Sequence, residues 1–281
     1  MKRKIIIAVC CIVFIAALGV TLYPIIANYV NDLYESELQS EYDKKIEELD
    51  GQAVSEAWKT AEEYNQSLLP VRYTKAGLEG ASVKYREVLA LDKTGIMAYV
   101  EIPKIDVDLP VYHTTETEVL EKGIGHLVGS SVPIGGIGSH SVLTGHTGVA
   151  GKRLFSDLDQ LVLGDVFYIH VLDKTLAYQV DAINVVDPSD TELLCSVDGE
   201  DLCTLVTCTP YGVNSHRLLV RGSRISGEEA KEIEKDDTSV PTLATWKKNY
   251  LKGILIGIGF SFNLAALIIL IVKRRKREKD G

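Results

Sequence analysis

Thr204-Leu205-Val206-Thr207-Cys208-Thr209-Pro210-Tyr211 is the stretch whose reading decides the fold. Its β-branched and apolar residues have the composition of a strand, and Pro210 ends it because proline cannot donate to a ladder. Cys208 therefore stands at a strand end. Nine residues later, His216-Arg217-Leu218-Leu219-Val220 returns as a second apolar run carrying Arg217. An antiparallel pair joined by the turn after Pro210 sets Cys208 across from Arg217. Upstream, Val142-Leu143-Thr144-Gly145-His146-Thr147-Gly148 puts His146 in the same strand-end setting.

Moving outward, similar runs recur: Ala98–Ile102, Val107–Tyr112, Ser141–Thr144, Val166–His170, Leu176–Val185, Leu202–Thr207 and His216–Arg221. Gly, Pro and Asp punctuate them, as in Gly135-Gly136, Gly164-Asp165 and Asp187-Pro188. Short strands between turn signals predict a mainly β domain, a barrel or a sandwich, over residues 96–226. Lys152–Gln160 is the best embedded helical turn. Before the domain, Tyr34, Leu38, Tyr42, Ile46, Leu49 and Ala53 recur at three-to-four spacing, which predicts helix from Asn31 to about Leu68 with a weak point at Gly51. This stalk is either solvated or packed by its apolar stripe. The rest of 31–95 holds Gly77, Gly80 and Gly95 and reads as a connection outside the core, with a helical turn or two at Tyr85–Leu91.

Both ends differ from this middle. Ile5–Asn31 carries no charge and follows Lys2-Arg3-Lys4; Gly253–Val272 carries none and precedes Lys273-Arg274-Arg275-Lys276-Arg277. Each reaches the roughly 20 residues needed to cross a bilayer. No Ala-x-Ala cleavage site follows the first, which favours an uncleaved anchor over a signal peptide. Basic clusters outside both spans predict cytoplasmic termini and an external middle. The expected layout is a basic end and first anchor (1–30), a stalk and possible lid (31–95), the β domain (96–226), an exposed tether (227–250), a second span (251–272) and a basic tail (273–281). The net charge is −9; subtracting the tails' +3 and +4 leaves −16 for the remainder. So acidic a domain argues against a nucleic-acid partner.

Five cysteines are present, and Cys10 and Cys11 fall in the first span. The other three leave at least one thiol free, whether or not Cys195 pairs with Cys203. Strand parity turns Cys203 to the opposite face from Cys208 and into the core.

A thiol, an imidazole and a guanidinium at neighbouring strand ends are the parts of an acyl-transfer site. The thiolate is the nucleophile, the imidazole moves the proton, and the permanently charged guanidinium stabilises the oxyanion. Taken singly, each residue has an ordinary structural reading as core thiol, loop histidine or surface ion-pair arginine; their joint occurrence carries the argument. No Cys-x-x-Cys, His-x-His or His-Glu-x-x-His pair seeds a zinc site. Histidine before cysteine is not the papain order, and Val206-Thr207-Cys208-Thr209-Pro210 is not the caspase signature.

Thr204–Thr209 with Arg217, and Thr144–Gly148 upstream, resemble the sortases of Gram-positive bacteria, and class C, the pilin-polymerising group, most of all. Tyr99–Ile105, Leu109–Tyr112, Gly123–Leu127, Leu154–Leu158 and Thr207–Gly222 extend the likeness over about Ile96–Ile225, and the second span adds to it. The resemblance implies an eight-stranded sortase barrel and no cofactor or metal. It implies Cys208 as nucleophile on the Thr–Gly bond of a Leu-Pro-x-Thr-Gly-like signal (LPXTG), His146 as general acid/base and Arg217 as oxyanion and substrate stabiliser. The implied partners are the membrane and pilin or surface-protein precursors, with a lysine of another pilin subunit as acceptor. The Asp-Pro-aromatic lid anchor frequent in class C is absent from residues 70–96. Val186–Asp190 is a candidate wall for substrate. Two other functions compete: attachment of surface proteins to cell-wall precursor, and a non-catalytic scaffold that binds sorting signals.

Overall fold

The computed structural model describes residues 2–68, 85–149, 151–236 and 252–259. Eight strands close a barrel in the order β1-β2-β3-β4-β7-β8-β6-β5. They are β1 Ile96–Ile102, β2 Val107–His113, β3 Ile124–His126, β4 Ser139–Thr144, β5 Val166–Val171, β6 Lys174–Val186, β7 Asp201–Thr209 and β8 His216–Ile225. Seven coincide with the expected runs to within a few residues. The eighth, β3, has three residues, too few to show alternation, and exists through parallel pairing of Val111 with Ile124.

The strand alternation sorts two apolar clusters. Cys203 and Leu205 of β7 face the interior with Phe155, Phe167 and Tyr178. Val206 points the other way and joins Val142, Leu219 and Leu194 in a small outer cluster. Each fully buried Val, Leu or Phe contributes roughly 1.5–3 kcal/mol, so the interior cluster carries most of the stability.

Among the described residues two α-helices precede the barrel, α1 Lys2–Glu48 and α2 Gly51–Ser67. The break falls at the expected weak point: the Asp50 carboxylate accepts from the Ala53 N–H at 2.7 Å and caps α2. The stalk packs on the barrel. Tyr42 is buried against Tyr99, and Ala61 and Tyr64 enter the main core.

Three expectations need correction. Tyr85, Val88 and Leu89 are core residues, not part of a connection outside it, because Tyr85 fills the space between Tyr64 and His126. Residues 227–236 are no exposed tether; Gly227–Asp236 is helix α4, with Ala230 fully buried against Val166 and Ala177. The embedded turn shrinks to a single 3₁₀ turn at Leu158–Gln160.

The chain from Leu22 through α4 forms one compact body, and Lys2–Thr21 with helical residues 252–259 belong to another. In the latter, Ile12, Val13, Phe14, Ile15, Leu255 and Ile256 are exposed. Among the described residues no helix is long and apolar enough to cross a membrane. The two expected spans are therefore not borne out there; the second, and the lid segment before Tyr85, lie largely outside the described residues.

Candidate active site

Register brings the three candidate residues to one end of the barrel. In the antiparallel β7–β8 pair Cys208 stands opposite Arg217. In the parallel β4–β7 pair Thr144 lies beside Val206, so two residues further on His146 and Cys208 leave the same end. Cys208, His146 and Arg217 are each half-buried, open enough for substrate yet backed by protein.

Gly145 explains how His146 is aimed. A Cβ at this position would meet Ile124 Cδ1 at 2.6 Å and the Phe155 ring at 2.8 Å, so only glycine lets the chain pass here. The Gly145 carbonyl accepts from Thr207 Oγ1 at 2.8 Å, and its N–H donates to the Val206 carbonyl at 2.9 Å. The residue before the histidine is thus tied to the residue before the cysteine. On the far side the His146 carbonyl accepts from the Phe155 N–H at 3.1 Å.

Arg217 is held by the turn it leaves, its guanidinium donating to the His216 carbonyl at 3.1 Å. Asp187, at the start of the β6–β7 loop, is fully exposed. Its carboxyl lies below the usual range because the Ser189 hydroxyl and N–H bind it, with smaller help from His216 and Arg217. The Asp187-Pro188-Ser189 turn is a polar rim beside Arg217. Leu194, later in the same loop, packs into the outer cluster with Val142, Val206 and Leu219.

His126, His140 and Cys203 are buried in the body of the barrel. His126 donates to the Ser131 carbonyl at 2.8 Å and meets the Tyr85 hydroxyl at 2.9 Å; burial pushes its pKa down to about 4. His140 donates to the Cys195 carbonyl at 2.9 Å, meets Thr204 Oγ1 at 2.7 Å, and burial lowers it likewise to about 4. Cys195, Cys203 and Cys208 are all free thiols, so Cys195 and Cys203 do not pair. Burial raises the Cys203 thiol far above its ordinary value and the Cys195 thiol to a smaller extent. Neither the tie through Thr207 nor the packing of Leu194 was marked in the sequence, because parallel partners carry no local motif.

A half-buried thiol opposite an arginine, with a histidine at the adjoining parallel strand end of a closed barrel, is an arrangement that can support cysteine acyl transfer. The sortase domain family matches residues 100–225. The chain superposes on sortase C1 of Streptococcus agalactiae with a TM-score of 0.62 and 45% identity, covering 67% of this chain and 97% of that one. It superposes on Streptococcus pneumoniae sortase C with a TM-score of 0.60 and 42% identity, covering 68% and 97%. Sortase A of Bacillus anthracis is 30% identical over 143 residues, 51% of this chain and 66% of that protein. The chain belongs to the sortase family, whose members are cysteine transpeptidases.

Proposed function

We propose that this chain is a membrane-anchored pilin-type transpeptidase, with its barrel outside the cell and both termini in the cytoplasm. It cleaves an LPXTG-like sorting signal between Thr and Gly and joins the acyl group to a lysine of another pilin subunit. The opposition of Cys208 and Arg217 beside His146 carries the chemistry; 45% identity to a sortase C1 supports the pilin class. The exposed apolar residues before Thr21 and after Lys252 support an anchor at each end.

In the reaction, the Cys208 thiolate adds to the threonine carbonyl carbon and the Arg217 guanidinium balances the oxyanion. The C–N bond breaks, His146 gives the departing glycine amine its proton, and a thioester remains. The acceptor lysine amine adds to the thioester carbonyl, gives up a proton to His146, and displaces Cys208 as thiolate. An isopeptide bond is the product.

Intact mass of the full chain incubated with an LPXTG-type peptide tests this reading. An acyl adduct is expected on the wild type and none on Cys208→Ala. His146→Ala and Arg217→Ala should each lower turnover about a thousand-fold, as removal of one member of a concerted set does. Adding a pilin-lysine peptide or a cell-wall cross-bridge amine then identifies the acceptor. An adduct that persists in Cys208→Ala, or maps to Cys203, overturns the assignment.

A further inference from the structure

We propose that Arg153 is a positioning residue for His146, and that the docked part of α1 helps set the catalytic loop through it. The proposal rests on His146 as the acid–base of the reaction above. The segment after His146 is closed at its base: the Phe155 N–H donates to the His146 carbonyl, and the Gly148 N–H donates to Ser156 Oγ at 3.0 Å. Leu154 and Phe155 are buried in the main core, so the returning end is fixed. Among the described residues, the side of the loop away from the barrel core is held by polar contacts from three other elements. Lys152 Nζ donates to the Glu121 carbonyl at 2.6 Å, Asn31 Nδ2 of α1 donates to the Gly151 carbonyl, and Arg153 grips Asp106.

Arg153 does more than pair. One arm of its fork donates to the carboxylate and, at 3.4 Å, to the carbonyl of Asp106, between β1 and β2; the other donates to Asp32 of α1 at 3.4 Å. Its side chain is 23% exposed, against 84% for Asp106 and 46% for Asp32. An exposed ion pair contributes only about 0–1 kcal/mol, so fold stability is a poor account of this arrangement. Geometry is a better one: a rigid planar fork reaches two carboxylates on two separate elements in fixed directions, where a lysine offers only a point charge on a flexible stem. Among the described residues Arg153 is the only cation lining a cavity of about 160 Å³ where Asp32, Glu35, Asp106 and Asp108 converge. Without the guanidinium the repulsion among these carboxylates is less well compensated, and the loop that carries His146 loses one of its three outer contacts.

Steady-state kinetics of the full chain in detergent micelles, with a fluorogenic LPXTG-type peptide, test this. Arg153→Ala should lower kcat about ten-fold with KM within about two-fold, because displacing a catalytic group by a fraction of an ångström costs rate more than binding. Arg153→Lys should fall between. Asp106→Asn provides a second variant expected to fold, since Asp106 has φ 54° and asparagine tolerates that region. It should reduce kcat in the same way and add nothing to Arg153→Ala, the mark of a shared interaction. Wild-type kcat in Arg153→Ala beside an inactive His146→Ala would overturn the tie and spare the acid–base reading. An active His146→Ala would overturn that reading itself. A raised KM at unchanged kcat, or additive losses, would equally overturn the proposal by making Arg153 a substrate contact or an independent site.

Discussion

Cys203 and Cys208 lie five residues apart on one strand, yet their thiols have opposite prospects. Odd spacing in a pleated strand sends one inward, where Cys203 is fully buried beside Leu205, and the other to the rim. Burial also keeps the Cys203 thiol protonated, while reactivity needs both access and thiolate. Brief treatment with iodoacetamide at pH 8, followed by peptide mapping, should label Cys208, label Cys195 more slowly, and leave Cys203 intact until denaturant is added. Early label on Cys203 would mean that the strand register is wrong. This much of the site was legible from sequence, because cysteine, histidine and arginine each sit at the end of an apolar run. What surrounds them was not. The Thr207-to-Gly145 bond, the Arg153 fork and the packing of Leu194 all join segments far apart in the chain, and no local pattern encodes such partners.

Helices show the same division at the next scale. Periodicity located the helix up to about Leu68, and Asp50-Gly51 is where the chain breaks and caps. Whether that helix stood in water or on protein was open, because an apolar stripe of this width serves either. Tyr42 settles it for this segment: its hydroxyl accepts from the Leu172 N–H at 3.1 Å and its ring meets Tyr99 edge-on at 5.4 Å. Helix α4 was missed since its Glu and Lys content hides two apolar residues, Ala230 and Ile233, which suffice for the shallow contact with Val166 and Ala177. Strand β3 was missed because a three-residue strand is defined by its neighbours alone. The Tyr42 anchor gives a direct expectation. Tyr42→Phe should cost about 1 kcal/mol, the worth of one hydrogen bond, and Tyr42→Ala about 3 kcal/mol or more from the lost ring. Denaturant titration with an unchanged m-value would report both. Equal losses would show that the ring contributes nothing and that α1 is not anchored there.

Over the whole molecule, titrating groups set opposite pH limits on stability. His126 and His140 are neutral when folded, with pKa values near 4 against an ordinary 6.5. Between those values the unfolded chain takes up protons that the native state refuses, so stability is full above pH 6.5 and is lost toward pH 4. Each shift is worth on the order of 3 kcal/mol. Glu35, on α1 in the cavity with Arg153, works the other way. Burial and then the neighbouring Asp32 raise its carboxyl from 4.5 to about 7, while Lys152 and Arg153 oppose the rise and Asp108 adds to it. The folded state therefore holds a proton that the unfolded chain has released, and stability falls as pH climbs from 4.5 through 7. Asp108, also raised by burial, acts in the same direction. Below pH 6.5 the two histidines outweigh these carboxyls; above it the carboxyls still change, and so does His170, which its hydrogen bond to Glu101 raises and whose contribution is likewise lost as pH climbs. The melting temperature should accordingly drop on acidification from pH 6.5 to 4.5. Glu35→Gln should raise it at pH 8, where the wild type carries a half-buried charge, and change it far less at pH 4.5, where Glu35 is protonated in the folded state and half protonated in the unfolded one. Stabilisation of equal size at both pH values would show that packing, not charge, is what the substitution relieves, and would remove Glu35 from the account of pH dependence.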